Sequence, residues 1–323
     1  MHVRAASVRT TRGGDSGSMN AIARETSAAS PFDLEASDAW QAWRAARLER
    51  GMPTSEDLSV PLVDAARPVE GELAALRERI RRHNLAFYRC APSAGELGRR
   101  GFADLCGALG FDRPDPHECA DEDGISALQV CGAGRRAGYI PYTDRPLSWH
   151  CDGYYNPPER RIRAMLLHCV ADAREGGENL FLDPELLYIR LRDENPEWIA
   201  ALNDPRALTI PANVENGVTL RAASTGPVFS VDPRSGHLHM RFTARTRSIE
   251  WRDDPVTRAA AQRIHEILAE EGPGVLRHRL APGEGVICNN VLHARTGFTD
   301  DPDAAGHRRL IYRARFPRRV PGT

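Results

Sequence analysis

Residues 285–295 read GVICNNVLHAR, an apolar run of β-forming residues that is followed by a histidine, His293. Similar short runs recur from about Ser126 onward, among them residues 162–170 (IRAMLLHCV) and 308–316 (RRLIYRARF), with Pro, Gly and Asp between them. Many short strands divided by turn residues favour a sandwich or a double-sheet jelly roll. Their irregular spacing argues against a doubly wound α/β sheet.

Helical patterns precede and interrupt these β runs. Residues 36–50 have helical composition, and residues 69–84 place apolar side chains at helical spacing. Further helices are predicted over residues 94–109, 184–202 and 255–271. We therefore predict a mostly β protein of the α+β class, with a jelly-roll core (a double-stranded β-helix), N-terminal helices and inserted helices.

The domain organisation follows from the same patterns. Residues 1–31 are rich in Arg, Ser, Ala and Gly and are predicted to form a disordered tail. Residues 32–323 are predicted to form one jelly-roll domain, in which residues 36–125 are a helical N-terminal part. The segment 196–225 is predicted to be rich in loops.

Composition excludes several classes of function. The 323 residues include 43 basic and 44 acidic side chains, and this balance argues against nucleic acid or an anionic membrane surface as a partner. Lysine is absent from the sequence, which excludes Schiff-base and phosphate-loop lysines. No apolar run is long enough to span a membrane. Seven single cysteines without a CxxC pair favour a reduced, cytoplasmic protein.

Two segments carry candidate metal ligands. His150 and Asp152 are two residues apart, so in an extended segment both side chains point to one side and can meet at one metal ion. His293 follows an apolar β run, where an imidazole needs a partner. Alone, each segment also fits an ordinary polar surface or a half-buried histidine. Together, two histidines and one carboxylate match the facial triad of non-haem Fe(II) oxygenases.

Two further segments carry candidate anion-binding groups. Arg309, Arg313 and Arg315 share one face of a predicted strand. Such arginines are either solvated or, if they point into a barrel, need an anion such as a carboxylate bound in bidentate fashion. The glycines Gly176 and Gly177 precede another β run and indicate a turn.

In order and spacing, these four segments resemble the taurine dioxygenase/TfdA-type family of Fe(II)- and 2-oxoglutarate-dependent dioxygenases, over about residues 60–318. The resemblance implies that Fe(II) is bound by His150, Asp152 and His293. It also implies that Arg309 grips the far carboxylate of 2-oxoglutarate, whereas Arg313 lies near its metal-bound end. Arg308 is the alternative to Arg309.

The Gly-Gly turn departs from the family pattern in one residue. Asn179 stands where the family often has Thr, and its amide can still donate a hydrogen bond to the cosubstrate. The resemblance implies an enzyme that uses Fe(II), 2-oxoglutarate and O2 to hydroxylate a small-molecule metabolite, with release of succinate and CO2. Desaturation or cyclisation at the same site, a non-catalytic metal- or ligand-binding jelly roll, and a zinc hydrolase are the alternatives.

Other polar residues complete the expectations. The substrate pocket is predicted to include Tyr154, Tyr155 and Asn156, which follow the H-x-D pair directly. A competing metal pair is His237 with His239. The arginines Arg241, Arg245 and Arg247 are expected to pair with nearby acidic residues, namely Glu250, Asp253 and Asp254. The oligomeric state is left open by the sequence, and the resemblance offers a homo-dimer and a homo-tetramer as the candidates.

Overall fold

A six-stranded and a four-stranded β-sheet organise the chain in the computed structural model, which describes residues 29–91, 96–117, 120–300 and 308–323. The helices are α1 (Ser37–Glu49), α2 (Glu70–His83), α3 (Arg99–Ala108), α4 (Pro184–Glu194), α5 (Pro196–Leu202) and α6 (Pro255–Glu270). The strands of the first half are β1 (Ser59–Leu62), β2 (Leu85–Cys90), β3 (Ser126–Leu128), β4 (Leu147–His150), β5 (Ala164–Ala171), β6 (Glu175–Gly176), β7 (Asn179–Leu182), β8 (Leu208–Ile210) and β9 (Asn213–Glu215). The remaining strands are β10 (Val218–Arg221), β11 (Ser224–Gly226), β12 (Phe229–Val231), β13 (Leu238–Met240), β14 (Glu250–Trp251), β15 (Leu276–His278), β16 (Glu284–Cys288), β17 (Leu292–Arg295), β18 (Phe298–Thr299) and β19 (Leu310–Phe316).

Strand order brings distant parts of the chain together. The six-stranded sheet has the order β1-β2-β16-β5-β19-β3, and its pairs are antiparallel except β1 with β2. The four-stranded sheet has the order β15-β7-β17-β4 and is antiparallel throughout. Strand β17 therefore lies between β7 and β4, which precede it by more than a hundred residues. This arrangement sets the position of the candidate site.

Three hydrophobic clusters hold the layers together. One lies between the two large sheets, where the Phe87 and Phe181 rings meet with centroids 5.7 Å apart. Helices α2 and α3 cover the other face of the six-stranded sheet. Helices α4 to α6 pack against the four-stranded sheet and the smaller sheet of β8, β11 and β14. Burial of these apolar faces supplies most of the favourable free energy of folding.

The helix predictions are confirmed, with two refinements. The helix predicted from residue 94 begins at Arg99, and residues 94 and 95 lie outside the described residues. Residues 184–202 form two helices because Pro196 has no N–H to continue the first one. Their N-caps are Asp183 and Asn195, whose side chains each accept a backbone N–H two residues on. The mixed α/β character with many strands is confirmed.

The segment 196–225 differs from its prediction. The loop prediction for 196–225 is wrong beyond the predicted helix, because strands β8 to β11 occupy much of residues 208–225. The β9–β10 hairpin turns at Asn216 and Gly217, which both have positive φ, and an Asn-Gly pair is a strong hairpin signal.

Of the predicted tail 1–31, residues 1–28 lie outside the described residues. Within the described residues, no helix is both long and apolar enough to cross a membrane.

Candidate active site

Strand pairing places two imidazoles side by side. His293 on β17 is the register partner of His150, the last residue of β4. Register partners share a sheet face, and the two ring centroids are 4.2 Å apart. A contact between residues so far apart in the chain is thus fixed by the β4–β17 pairing.

Asp152 reaches the same place through a turn. The expectation of a continuous extended segment is wrong, because β4 ends at His150 and Asp152 lies in the turn that follows. Asn290 holds this turn: its Oδ1 accepts the Asp152 N–H at 2.8 Å, and its Nδ2 donates to the carbonyl oxygens of Asp152 and Ile162. Asn290 has φ 52°, a left-handed conformation that Asn tolerates.

Backbone carbonyls fix the histidine tautomers. Nδ1 of His150 lies 2.9 Å from the Ser148 carbonyl, and Nδ1 of His293 lies 2.9 Å from the Val291 carbonyl. Because a carbonyl only accepts, each Nδ1 carries the proton, which leaves the Nε2 lone pair free for a metal. Burial lowers the pKa of His150 to about 3 and lowers that of His293, so both rings are neutral at pH 7.

Asp152 supplies the negative charge. Its Oδ1 lies 3.8 Å from His150 Nε2 and 3.3 Å from a guanidinium nitrogen of Arg313. Burial raises the pKa of Asp152, but Arg313 and its other cationic neighbours outweigh burial and hold it well below its usual range. Its Oδ2 is buried without a hydrogen-bond partner among the described residues.

These three residues fit a divalent metal ion. One ligand atom from each of His150, Asp152 and His293 can be chosen so that all lie within 4.8 Å of one another. A buried carboxylate oxygen without a partner is costly unless a cation completes its environment. Two neutral imidazoles and one carboxylate are the donor set that non-haem Fe(II) uses, with positions left open for other ligands.

Arg309 lies buried beside the Gly-Gly turn. Its guanidinium carbon is 5.0 Å from the centroid of Phe298, and a Cβ at Gly177 would lie 3.2 Å from its Nε. Only 5 % of Arg309 is exposed, whereas Arg308 is exposed to solvent. Within the described residues no carboxylate forms an ion pair with Arg309, and burial lowers its pKa. A carboxylate ligand would complete this environment.

Asn179 lies on the same sheet face as the histidines. It is the register partner of Arg295, which is two residues from His293 on β17. Asn179 is buried, and its Nδ2 has no hydrogen-bond partner in the part of the chain that the structure describes. Such a donor needs an acceptor from a ligand or from water. Arg295 itself donates to the carbonyl oxygens of Thr143 and Arg145.

The three residues predicted for the substrate pocket differ in their surroundings. The Tyr154 ring meets the His150 ring edge-on at 6.3 Å. The Tyr155 hydroxyl accepts a hydrogen bond of 2.9 Å from Arg315. The side chain of Asn156 donates to the Arg160 carbonyl, so its amide is bound to the backbone.

Sequence reasoning missed some residues that shape the site. Asp115 forms an ion pair with the buried Arg315 at 2.9 Å. His117 Nε2 lies 2.9 Å from Ser126 Oγ, and burial together with nearby arginines lowers the pKa of His117 to about 2. Asn290 had a weak signal in the Asn-Asn pair before His293, but Asp115 and His117 lie in a polar loop without a recognisable pattern.

The competing features lie elsewhere. His237 and His239 line another pocket with Asn84 and Glu185. Among the described residues, the group close enough to hold one metal ion is His150, Asp152 and His293. The expected surface pairing is wrong for Arg241, which is buried and donates to the carbonyl oxygens of residues 208 and 224.

The predicted ion pair with a nearby acidic residue is likewise wrong for Arg245. It is exposed and donates to the Tyr154 hydroxyl at 3.2 Å, without an ion pair to a described carboxylate. The expected acidic partners bind elsewhere, since Asp253 pairs with Arg258 and Asp254 pairs with Arg252.

The His–Asp–His group has the donor set that non-haem iron oxygenases use. The family model described as "Taurine catabolism dioxygenase TauD, TfdA family" matches residues 18–315. The chain therefore belongs to this family.

Individual relatives agree with this family. A uridine-5'-phosphate dioxygenase from a Streptomyces species is 29% identical over 191 residues, which are 56% of this chain and 66% of the relative, so the match spans a little less than two thirds of that protein. Asparagine oxygenase bound to Fe(II), hydroxyasparagine and succinate has a TM-score of 0.56 at 17% identity, covering 80% of this chain and 93% of that one. The iron oxygenase OrfP bound to Fe, succinate and hydroxy-L-Arg has a TM-score of 0.57 at 17% identity, covering 78% and 82%. These two structures support the fold.

Proposed function

We propose that the protein uses Fe(II), 2-oxoglutarate and O2 to hydroxylate a small-molecule metabolite, with release of succinate and CO2. The observation that carries the proposal is the convergence of two neutral imidazoles with a buried carboxylate whose Oδ2 has no described partner. It is joined by the buried guanidinium of Arg309 beside the Gly-Gly turn, which forms no ion pair with a described carboxylate. A site that only binds a metal ion does not need a buried guanidinium.

The metal would be held by His150, Asp152 and His293. The backbone carbonyls behind both Nδ1 atoms keep the Nε2 atoms aimed at one point, and Asn290 keeps the carboxylate in its turn. Bound Fe(II), with 2-oxoglutarate as the source of two electrons, supplies the activation of O2 that breaks a C–H bond of the substrate. Arg313 sits beside Asp152 and keeps this carboxylate ionised.

The far carboxylate of 2-oxoglutarate would bind Arg309 and Asn179. Arg309 offers a planar donor pair for a bidentate contact, and the Asn179 amide offers a further donor. Burial of both groups excludes water, which strengthens charge-assisted hydrogen bonds. The exposure of Arg308 makes it a poor candidate for this role.

The relatives guide the choice of substrates. A uridine phosphate, asparagine and arginine are small polar molecules, so nucleotides and amino acids are the first compounds to screen. The Tyr154 ring beside His150 is proposed to contact the substrate. The two large sheets are proposed to form a jelly-roll core in one domain over residues 32–323. A cytoplasmic location and a homo-oligomer stay predictions.

The test is oxygen-dependent release of succinate from 2-oxoglutarate by the Fe(II)-loaded protein. We expect His293→Gln to abolish it, because one of three metal ligands is lost. The matched control His237→Gln removes a histidine outside the site and should leave release unchanged. Equal loss in both variants, or no succinate from the wild type, would contradict the proposal. Gain of one oxygen atom in the product mass distinguishes hydroxylation from desaturation or cyclisation.

A further inference from the structure

Two arginines lie beside the tyrosines that follow the H-x-D pair. Arg245 donates to the Tyr154 hydroxyl at 3.2 Å, and the Arg221 guanidinium carbon lies 5.6 Å from the centroid of the Tyr155 ring. Neither forms an ion pair with a carboxylate of the described residues. We call Arg221 and Arg245 the rim arginines.

An aromatic pair connects the rim arginines to the proposed metal ligands. The Tyr154 ring meets the His150 ring at 6.3 Å, and the Tyr155 ring meets Tyr154 edge-on at 5.2 Å. A substrate that approaches His150 along Tyr154 therefore comes within reach of a guanidinium. The tyrosine faces also offer a flat surface on which a planar group can stack.

Two carboxylates beside the tyrosine pair already form ion pairs. Asp152 contacts Arg313, and Asp115 contacts both Arg315 and Arg160. These two acids therefore form no ion pair with the rim arginines. Guanidinium groups without a bound acid attract anions and speed their association.

The rim arginines are also held in place. Arg221 is half-buried and donates to the carbonyl oxygens of Pro211 and Ala222, while the hydroxyl of Tyr154 orients Arg245. A positioned guanidinium loses less freedom on binding an anion than a free surface arginine does. This difference separates the pair from arginines that are merely solvated.

We infer that the organic substrate carries an anionic group, a phosphate, sulfonate or carboxylate, that binds the rim arginines while the rest of the molecule lies on Tyr154 and Tyr155. The inference rests on the proposed function, because it assumes that the substrate reacts beside His150. It assigns Arg245 and Arg221 to substrate selection, separately from the arginine proposed for 2-oxoglutarate.

The test uses full-length protein loaded with redox-inert Mn(II) and saturated with 2-oxoglutarate, so that Arg309 is occupied. Calorimetric titration compares uridine 5′-monophosphate, uridine and inorganic phosphate. We expect the nucleotide to bind at least about tenfold more tightly than the nucleoside, and Arg245→Gln to remove that difference. Arg247→Gln, which removes the same charge at an exposed position two residues away, is the matched control and should leave it intact.

Two additions make the result decisive. Tyr154→Phe keeps the ring but removes the oxygen that orients Arg245, so it should weaken nucleotide binding about threefold without affecting uridine. Methanesulfonate and acetate, used as competitors against inorganic phosphate, identify the preferred anion. Phosphate binding that is lost in Arg245→Gln supports the inference even if the nucleoside part does not fit.

Three results would contradict the role of the rim arginines. The inference is overturned if neither nucleotide nor phosphate binds, if uridine binds as tightly as its phosphate, or if Arg245→Gln and Arg247→Gln behave alike. Succinate release by the Fe(II)-loaded protein without added substrate is measured in parallel. Absence of that release counts against the proposed function, whereas its presence without an anion preference counts against this inference alone.

Discussion

Replacing Arg309 by Gln is expected to weaken 2-oxoglutarate binding without destabilising the ligand-free protein. The guanidinium is buried, lies against Phe298 and has no carboxylate partner in the described chain. Loss of a charge-assisted contact to the far carboxylate should cost about 2–3 kcal/mol, an increase in Kd of roughly 30- to 150-fold. In the ligand-free protein the same change removes an unpaired buried cation, so the free energy of unfolding should stay within about 1 kcal/mol of the wild type.

Thermal unfolding in the presence of Mn(II) and increasing 2-oxoglutarate measures both quantities. A ligand that binds the native state raises its stability in proportion to the logarithm of ligand concentration over Kd, so weaker binding moves the curve to higher concentration. The control is Arg308→Gln, which removes the neighbouring exposed charge. The reasoning is refuted if Arg308→Gln weakens binding as much, or if Arg309→Gln alone lowers the unfolding temperature substantially.

Three further changes test the supporting structure. Asn290→Ala removes the hydrogen bonds around Asp152 and should lower the free energy of unfolding by about 2–3 kcal/mol and weaken metal binding, as followed by urea denaturation and Mn(II) titration. Gly177→Ala places a Cβ 3.2 Å from Arg309 Nε at φ +74°, so KM for 2-oxoglutarate should rise severalfold, whereas an unchanged KM would separate the turn from the cosubstrate. Burial raises the pKa of Glu284, but hydrogen bonds from a histidine, a backbone amide and an arginine outweigh it and lower the pKa to about 2. Because this folded-state pKa lies below the unfolded value of 4.5, the stabilisation is present above pH 4.5 and is lost as the pH falls towards 2. Glu284→Gln should therefore cost about 2 kcal/mol at pH 7 and flatten the acid side of the stability curve, and an unchanged curve would refute this.

The candidate ligand residues could be picked out because the order and spacing of their segments resemble those of a known family. His150 and Asp152 are neighbours in the sequence, and His293 follows a recognisable strand. The choice between Arg309 and Arg308 as the arginine for 2-oxoglutarate needed the structure, because only the fold shows which of the two is buried. Pairing in the sheet then explains why residues so far apart in the chain meet.

Contacts between distant loops could not be predicted. Asn290 and Asp115 act through partners 138 and 200 residues away, Asp152 and Arg315, and no sequence period marks such contacts. The error on Arg245 has a different origin: acids close in sequence were assumed to be its partners, but the fold turns Arg245 towards Tyr154. The β9–β10 hairpin was missed although its Asn-Gly turn was visible.

The most direct test of the central claim is an anaerobic titration of metal-free protein with Fe(II), with and without 2-oxoglutarate, followed by visible absorption. The account predicts a weak charge-transfer band that needs both components, that is absent in Asp152→Ala, and that survives in His237→Gln. Iron binding without the band would contradict the assignment of Arg309 and Asn179 to the cosubstrate. Absence of iron binding would contradict the His150–Asp152–His293 site itself.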